Sequence, residues 1–251
     1  MNKEEFYFKY LSRPEDPIPE SICEILKKKE MMDEGYAIMP DQMELLLEPD
    51  KIKAENGCCW LRDGGAYIAA YHELPGATLE MYRWWLDWRF AEDGDSRYKI
   101  WCPDSHYKSG YLWNLEDCGC GMEDVYIFDS LRDAPERIGL KPEAMKHSDL
   151  IMVDGANASS RVLNGDYTVR PIPSVVLHFI YSIEGGIGIR SRFYKGYQSI
   201  GKGLVYVLKK DDVIPEESLW GLLEHNAREM AGLKNTLPDL YREVVLEKRI
   251  G

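Results

Sequence analysis

The chain of 251 residues has no apolar run long enough to cross a membrane. Its longest apolar stretch, Val175–Tyr181, is interrupted by His178, whereas a transmembrane helix needs about 20 apolar residues. The first residues are acidic and contain no apolar segment of the kind that directs secretion. We therefore expect a cytoplasmic protein with no membrane partner.

Positive charge is also scarce. Lysine and arginine total 31 against 43 aspartate and glutamate residues, which gives a formal net charge of −12 at pH 7. A surface of this sign repels the phosphates of nucleic acids and of anionic lipids. The composition therefore predicts a small-molecule ligand and no nucleic-acid partner, and it leaves homo-oligomerisation open.

Several motifs of known chemistry are absent too. The cysteine pairs Cys58-Cys59 and Cys118–Cys120 lack the C-x2-C spacing of cysteine zinc sites. The chain contains neither the G-x-S-x-G of serine hydrolases nor the H-E-x-x-H of common zinc proteases. These absences argue against all three kinds of site.

Hydrophobic periodicity predicts strands in the middle of the chain and a long helix near its end. The predicted helices are Glu20–Lys29, Leu79–Phe90 and Glu216–Asn235, and Pro238 is expected to open a further helix. The predicted strands are a hairpin over Cys58–His72, then Ser148–Val153, Tyr167–Val169, Ser174–Ile183, Ile187–Tyr194 and Gly201–Leu208. This order is typical of an α+β fold. We expect an N-terminal arm and hairpin subdomain over 1–75 and the main domain over 76–251.

Three histidines occur where metal or proton chemistry is plausible. His225 and Glu229 are four residues apart on the long helix, so they share a face and either chelate one metal ion or form an ordinary surface pair. His106 follows Pro103 in a predicted loop, as a ligand or as a loop cap. His178 lies in an apolar strand, so it must hydrogen-bond within the core or face a cavity.

Five landmarks follow one another in a recognisable order over about residues 76–235. They are Trp84-Trp85 with Trp88, Arg97–His106, Pro135–Gly139, Arg190–Tyr194, and His225-x-x-x-Glu229. None is specific by itself, but the combination resembles the diacetylphloroglucinol hydrolase family, which includes phloretin hydrolase.

The resemblance implies a fold and a metal. The fold would be a helix-grip domain, in which a curved antiparallel sheet wraps around a long C-terminal helix and encloses a cavity. The metal would be zinc, held by His106, Glu136, His225 and Glu229. Glu136 is assigned from its place before Gly139, and Glu143 is the alternative.

The resemblance also implies a reaction. The family hydrolyses the carbon–carbon bond between an acyl group and a phloroglucinol ring, which yields a carboxylic acid and the deacylated phenol. Tyr98, His178 and Tyr194 match positions that act on the substrate, and the register of Tyr194 is open by one residue. Ser109 stands where an asparagine is expected, which indicates a different aryl ketone substrate. Ser109 and Trp85 are the expected substrate contacts.

Two other functions fit the same pattern. A helix-grip protein can hold a hydrophobic ligand without metal or chemistry. A metal-free cyclase or aromatase can use His178 and the tyrosines as acid–base groups. Bound metal and acid release from a ketone distinguish the hydrolase from both.

Overall fold

The computed structural model describes residues 2–14, 16–91, 93–110, 115–119, 123–130, 134–143, 150–163 and 169–247. It shows an antiparallel sheet packed on a long C-terminal helix, with shorter helices at the N-terminus. The predicted α+β class is thus confirmed. Within these described residues, no helix combines the length and the apolar character needed to cross a bilayer.

The described strands form one large sheet and one small one. In chain order they are β1 Gly57–Trp60, β2 Ala66–Pro75, β3 His106–Gly110, β4 Leu115–Gly119, β5 Glu123–Ser130, β6 Leu150–Leu163, β7 Val169–Ile183, β8 Gly186–Lys195, β9 Tyr197–Ser199 and β10 Leu204–Tyr206. The large sheet has the order β1-β2-β8-β7-β6-β5-β4-β3, and β9 pairs with β10. The predicted hairpin over Cys58–His72 is confirmed, since β1 pairs with β2. Strand β7 pairs with β8 in a second hairpin, and Gly185 has the positive φ, +76°, that its turn requires.

The hairpin that the sequence assigns to an N-terminal subdomain belongs to the large sheet. Strand β2 pairs with β8 along its whole length, from Ala66 opposite Lys195 to Pro75 opposite Gly186. The division of the chain at residue 75 stays a prediction.

Alternation along the strands gives the sheet two apolar faces. The face that carries Ile68, Ala70, Ile189 and Phe193 packs against the C-terminal helix, and we call it the helix face. The opposite face is called the outer face. It carries residues such as Leu177 and is covered by the short 3₁₀ segments of residues 34–51 and by residues 138–140.

The C-terminal helix, α5, runs over Glu216–Tyr241. We expected a break before Pro238, but this proline lies inside the helix. The apolar stripe continues beyond it through the buried Leu240, so tertiary packing outweighs the hydrogen bond that a helical proline forfeits. A π-helical turn, Arg242–Leu246, follows directly.

Four further helices are α1 Lys3–Leu11, α2 Glu20–Lys28, α3 Leu79–Trp88 and α4 Gly94–Trp101. Helix α1 was not predicted from the sequence, although Asn2 and Glu5 form a capping box at its start. Phe6 of this helix packs with Trp88 and Leu240 in a cluster of its own. Helix α4 lies against both α5 and β3 and thereby positions the start of β3 beside the C-terminal helix.

Candidate metal centre

Three of the predicted metal ligands come together in the interior. One ligand atom each from His106, His225 and Glu229 lies within 4.8 Å of the others, and all three side chains are buried. His225 and Glu229 share one face of α5, as their spacing predicts. His106 is the first residue of β3 and not part of a loop, because the turn after α4 is short and passes directly into the strand.

Close packing of α4 on α5 brings the histidines together. The indole Nε1 of Trp101 donates a hydrogen bond to the backbone oxygen of Glu229, at 2.8 Å. A Cβ at Gly232 would clash with the carbonyl oxygen of Trp101, so only glycine permits this approach. His106 and His225 then lie with their ring centroids 5.4 Å apart.

The protonation of His106 suits metal ligation. Its Nδ1 lies 3.2 Å from the carbonyl oxygen of Tyr98, to which it can only donate. Burial lowers the pKa of His106 to about 4, so the ring is neutral at pH 7 and Nε2 carries no proton. That nitrogen nevertheless lies 3.0 Å from Oε1 of Glu229. An unprotonated imidazole nitrogen and a carboxylate oxygen are both donor atoms that a divalent cation accepts.

Glu229 stays ionised in the same surroundings. Burial by itself raises the pKa of its carboxyl group, but His225 and His106 outweigh that effect and hold it well below its usual range. The second histidine approaches the same oxygen as the first, with His225 Nε2 at 3.2 Å from Oε1. Two imidazole nitrogens and one carboxylate oxygen form a donor set that divalent transition metals accept with a coordination position left open.

Two residues that the sequence analysis did not identify extend this cluster. The amide Nδ2 of Asn226 donates to Oε2 of Glu229, at 3.3 Å, and Oδ1 of Asn226 lies 3.2 Å from Nε2 of His72. Burial lowers the pKa of His72 to about 4. The available signal was its position in β2, where alternation puts it on the helix face with Ala70 and Leu74.

Aromatic rings enclose His106. Tyr98 stacks on it in parallel, with centroids 3.9 Å apart, and Trp101 meets it edge-on at 4.7 Å. The structure therefore brings Tyr98 to the cluster. The ring centroids of Trp85 and Trp101 lie 5.1 Å apart, so Trp85 reaches His106 only through the ring of Trp101.

His178 lies on the helix face. Its neighbours Val176 and Ile180, two positions away on either side, both belong to the core against α5. Its Nδ1 lies 2.8 Å from the hydroxyl of Ser191, the residue directly opposite it on β8. The sequence left open a core role or a cavity role for this histidine, and the structure places it beside the polar Ser191 within the core.

Tyr194 points the other way. Residues 193 and 194 alternate, so Phe193 takes the helix face and Tyr194 the outer face. The Tyr194 hydroxyl donates to the carbonyl oxygen of Ile38, at 2.8 Å. The structure therefore does not bring this predicted catalytic residue to the His106 cluster.

Glu136 does not reach the cluster either. It is exposed on the 3₁₀ helix Pro135–Ile138, and Ile138 packs on the outer face of the sheet. The alternative ligand, Glu143, is exposed as well. Within the described residues three of the four expected ligands are thus gathered, and the position of Glu136 gives no support to a fourth.

Ser109 lies on β3, three residues after His106. Its backbone nitrogen donates to Oδ1 of Asp95 at the start of α4, at 2.8 Å. Its role toward substrate stays a prediction.

Known proteins resemble this chain over most of its length. The model of the DAPG hydrolase PhiG domain matches residues 38–242. Phloretin hydrolase of Eubacterium ramulus is 27% identical over 252 residues, which cover 94% of this chain and 89% of that protein. A 2,4-diacetylphloroglucinol hydrolase of a Pseudomonas species is 26% identical over 267 residues, covering 94% of this chain and 87% of that protein.

The matched residues include α3, α4, the large sheet and all of α5, and therefore each of the three clustered ligands. The resemblance drawn from the five sequence landmarks is confirmed. The chain belongs to the DAPG hydrolase PhiG domain family.

Proposed function

We propose that this protein is a zinc-dependent hydrolase. Its reaction would cleave the carbon–carbon bond between an acyl group and a polyhydroxylated aromatic ring and release a carboxylic acid. The observation that carries the proposal is the buried group of His106, His225 and Glu229 in a chain that aligns over most of its length with hydrolases of acylated phenols.

Zinc would be held by the two imidazoles and by Glu229. When bound there, it would polarise a carbonyl oxygen and make water a nucleophile near neutral pH. The neutral His106 and the ionised Glu229 are the protonation states that such a site requires. The positions of Glu136 and Tyr194 give no support to their assignment to this site.

Other residues of the chain would deliver the proton and orient the substrate. In the overall reaction the hydroxyl of water joins the acyl carbon, the bond from that carbon to the ring breaks, and a proton ends on the ring carbon. We assign delivery of that proton to His178, whose ring is oriented by Ser191 at 2.8 Å. Tyr98 would orient a ring hydroxyl of the substrate, with Trp85 and Ser109 as outer contacts.

We also propose that the fold is a helix grip. The arrangement that supports this is an antiparallel sheet whose helix face packs along the C-terminal helix α5. In such a fold the ligand cavity lies between sheet and helix, where His178 and His225 both lie.

The test is a combined assay of metal and turnover. Protein prepared without a histidine tag or added metal is analysed for zinc and offered mono- and diacetylphloroglucinol and phloretin. The expected result is about one zinc per chain and release of the carboxylic acid with the deacylated phenol. A matched aryl ketone without ring hydroxyls is the control substrate and should remain intact.

The non-catalytic alternative makes the opposite prediction. A helix-grip carrier would bind these aromatic compounds without metal and release no acid. Binding without zinc, even after zinc is supplied, would overturn the hydrolase proposal in favour of the carrier.

A further inference from the structure

We propose that Asn226 and His72 form a positioning chain that makes Glu229 offer a single oxygen to the metal. The inference rests on the proposed metal site. It concerns the side of Glu229 that faces away from the two histidine ligands, and it assigns a role to two residues outside the ligand set.

The two carboxylate oxygens of Glu229 have different partners. Oε1 faces both histidine ligands, at 3.0 Å from His106 and 3.2 Å from His225. Oε2 accepts instead from the side-chain amide of Asn226, at 3.3 Å. Oε1 is therefore the oxygen that would be offered to a metal beside the two imidazoles, while Oε2 is engaged by Asn226.

His72 determines which way the Asn226 amide points. An ionised carboxylate only accepts hydrogen bonds, so the Asn226 atom beside Oε2 must be the NH₂ group. Its oxygen then lies 3.2 Å from Nε2 of His72, which must be the protonated nitrogen of that ring. An amide turned the other way would put oxygen against oxygen at Glu229 and would require the His72 proton to move to Nδ1, so the His72 N–H at Nε2 stabilises the observed orientation.

The chain is rigid because it is buried. Asn226 is fully enclosed within α5, and only 4% of the His72 surface is exposed. His72 is fixed by β2, where it lies opposite Ile189 in a register that continues over ten residue pairs. The chain thus links the central sheet to the metal ligand through two side chains of defined orientation.

A single donated oxygen matters for the chemistry. A carboxylate that binds through both oxygens fills two coordination positions, whereas one held at Oε2 by an amide fills one. With three protein ligands each giving one atom, a position is left for water or substrate, as catalytic zinc sites require. Outer partners of this kind typically change metal affinity or activity 10- to 100-fold when they are removed.

A structural role alone would also explain a buried hydrogen-bonded pair, so the test needs variants that separate the two roles. His72→Gln keeps an N–H near the position of Nε2, and His72→Leu removes it at similar volume. Asn226→Leu removes the donor to Glu229 directly. Thr236→Val is the matched control, because Thr236 is a buried polar residue of the same helix outside the chain.

Zinc affinity is measured by competition with a chromophoric chelator, and the coordination number is measured from the visible absorption of the cobalt(II)-loaded proteins. We expect His72→Leu and Asn226→Leu to bind zinc about 10- to 100-fold more weakly. Their cobalt bands should lose intensity as Glu229 turns to bind through both oxygens. His72→Gln and Thr236→Val should stay within about threefold of the unchanged protein and keep its spectrum.

Equal zinc affinity and an unchanged cobalt spectrum in a folded His72→Leu protein would overturn the inference while leaving the metal site intact. If the unchanged protein itself binds neither zinc nor cobalt, the proposed function fails together with the inference. Should Asn226→Leu not fold, the His72→Gln and His72→Leu pair decides by itself.

Discussion

The two faces of the central sheet both bury ionised groups, but they neutralise them differently. On the outer face Glu55 meets two cations of the chain, with Arg190 at 2.7 Å and Arg192 at 2.8 Å. On the helix face Glu229 meets the imidazoles of His106 and His225 and the amide of Asn226, and burial holds His106 neutral. The first group therefore pairs its carboxylate with two guanidinium groups, whereas the second surrounds its carboxylate with imidazoles and an amide.

This difference separates a structural site from a functional one. A buried charge is costly unless an opposite charge accompanies it, and on the outer face Glu55 supplies that charge to the buried Arg190 and Arg192. On the helix face three donor atoms are gathered that could hold a metal ion. The partners of each carboxylate therefore distinguish the two faces.

The largest expected effect comes from removing a ligand on the helix face. His225→Ala should lower zinc affinity by more than about 100-fold and abolish acid release, since even outer partners are worth 10- to 100-fold. The checks are elemental analysis and product detection. Glu224→Ala, an exposed neighbour paired with Arg228, is the control and should change neither. Full turnover in His225→Ala would refute the metal mechanism.

The second largest expected effect is a loss of folding stability in acid, caused by the two buried histidines of the helix face. The pKa values of His72 and His106 lie at about 4 in the folded protein and near 6.5 in an unfolded chain. Between pH 6.5 and 4 unfolding therefore takes up protons, and stability falls as the pH falls. Each histidine contributes up to about 1.4 kcal/mol per pH unit.

Denaturant unfolding of the metal-free protein at several pH values measures this slope. The His72→Gln variant should show a slope smaller by about one proton. Stability that does not change between pH 7 and 5 would mean that the two rings are not held neutral by burial.

A substitution on the outer face should lower the free energy of unfolding and leave zinc binding and turnover unchanged. Glu55→Ala leaves Arg190 and Arg192 without their carboxylate and should cost about 2–4 kcal/mol of unfolding free energy. Zinc content and turnover per folded molecule should stay unchanged. Glu34→Ala breaks an exposed pair with Arg62 and should cost at most about 1 kcal/mol. A loss of zinc in Glu55→Ala would show that the faces are coupled.

The sequence predicted the part of the site that local geometry determines. The spacing of His225 and Glu229 on one helix suffices to place both on one face, and the family landmarks added His106. Glu136 could not be placed in this way, since the packing of Ile138 on the outer face is a tertiary contact. Asn226 and His72 stayed hidden because their partners are far away in sequence.

Strand register explains the remaining difference between expectation and structure. Hydrophobic periodicity predicts the strands and α5. The prediction of a break at Pro238 was wrong because the buried apolar stripe of α5 continues past this proline. In β8, however, a shift of one residue exchanges the two faces. Which of residues 193 and 194 lies on the helix face is therefore settled by the pairing of β8 with β2 and β7.

The smallest expected effect, that of Tyr194→Phe, tests the register of β8 directly. Tyr194→Phe removes a hydrogen bond to Ile38 on the outer face, so we expect a loss of about 1 kcal/mol in stability and unchanged kcat/KM. Tyr98→Phe alters the ring stacked on His106, so kcat/KM should fall about tenfold, as when one substrate hydrogen bond is lost. Steady-state kinetics with an acylphloroglucinol and denaturant unfolding measure both. If Tyr194→Phe lost activity at full stability, the outer-face tyrosine would belong to the reaction, and the division between the two faces would fail.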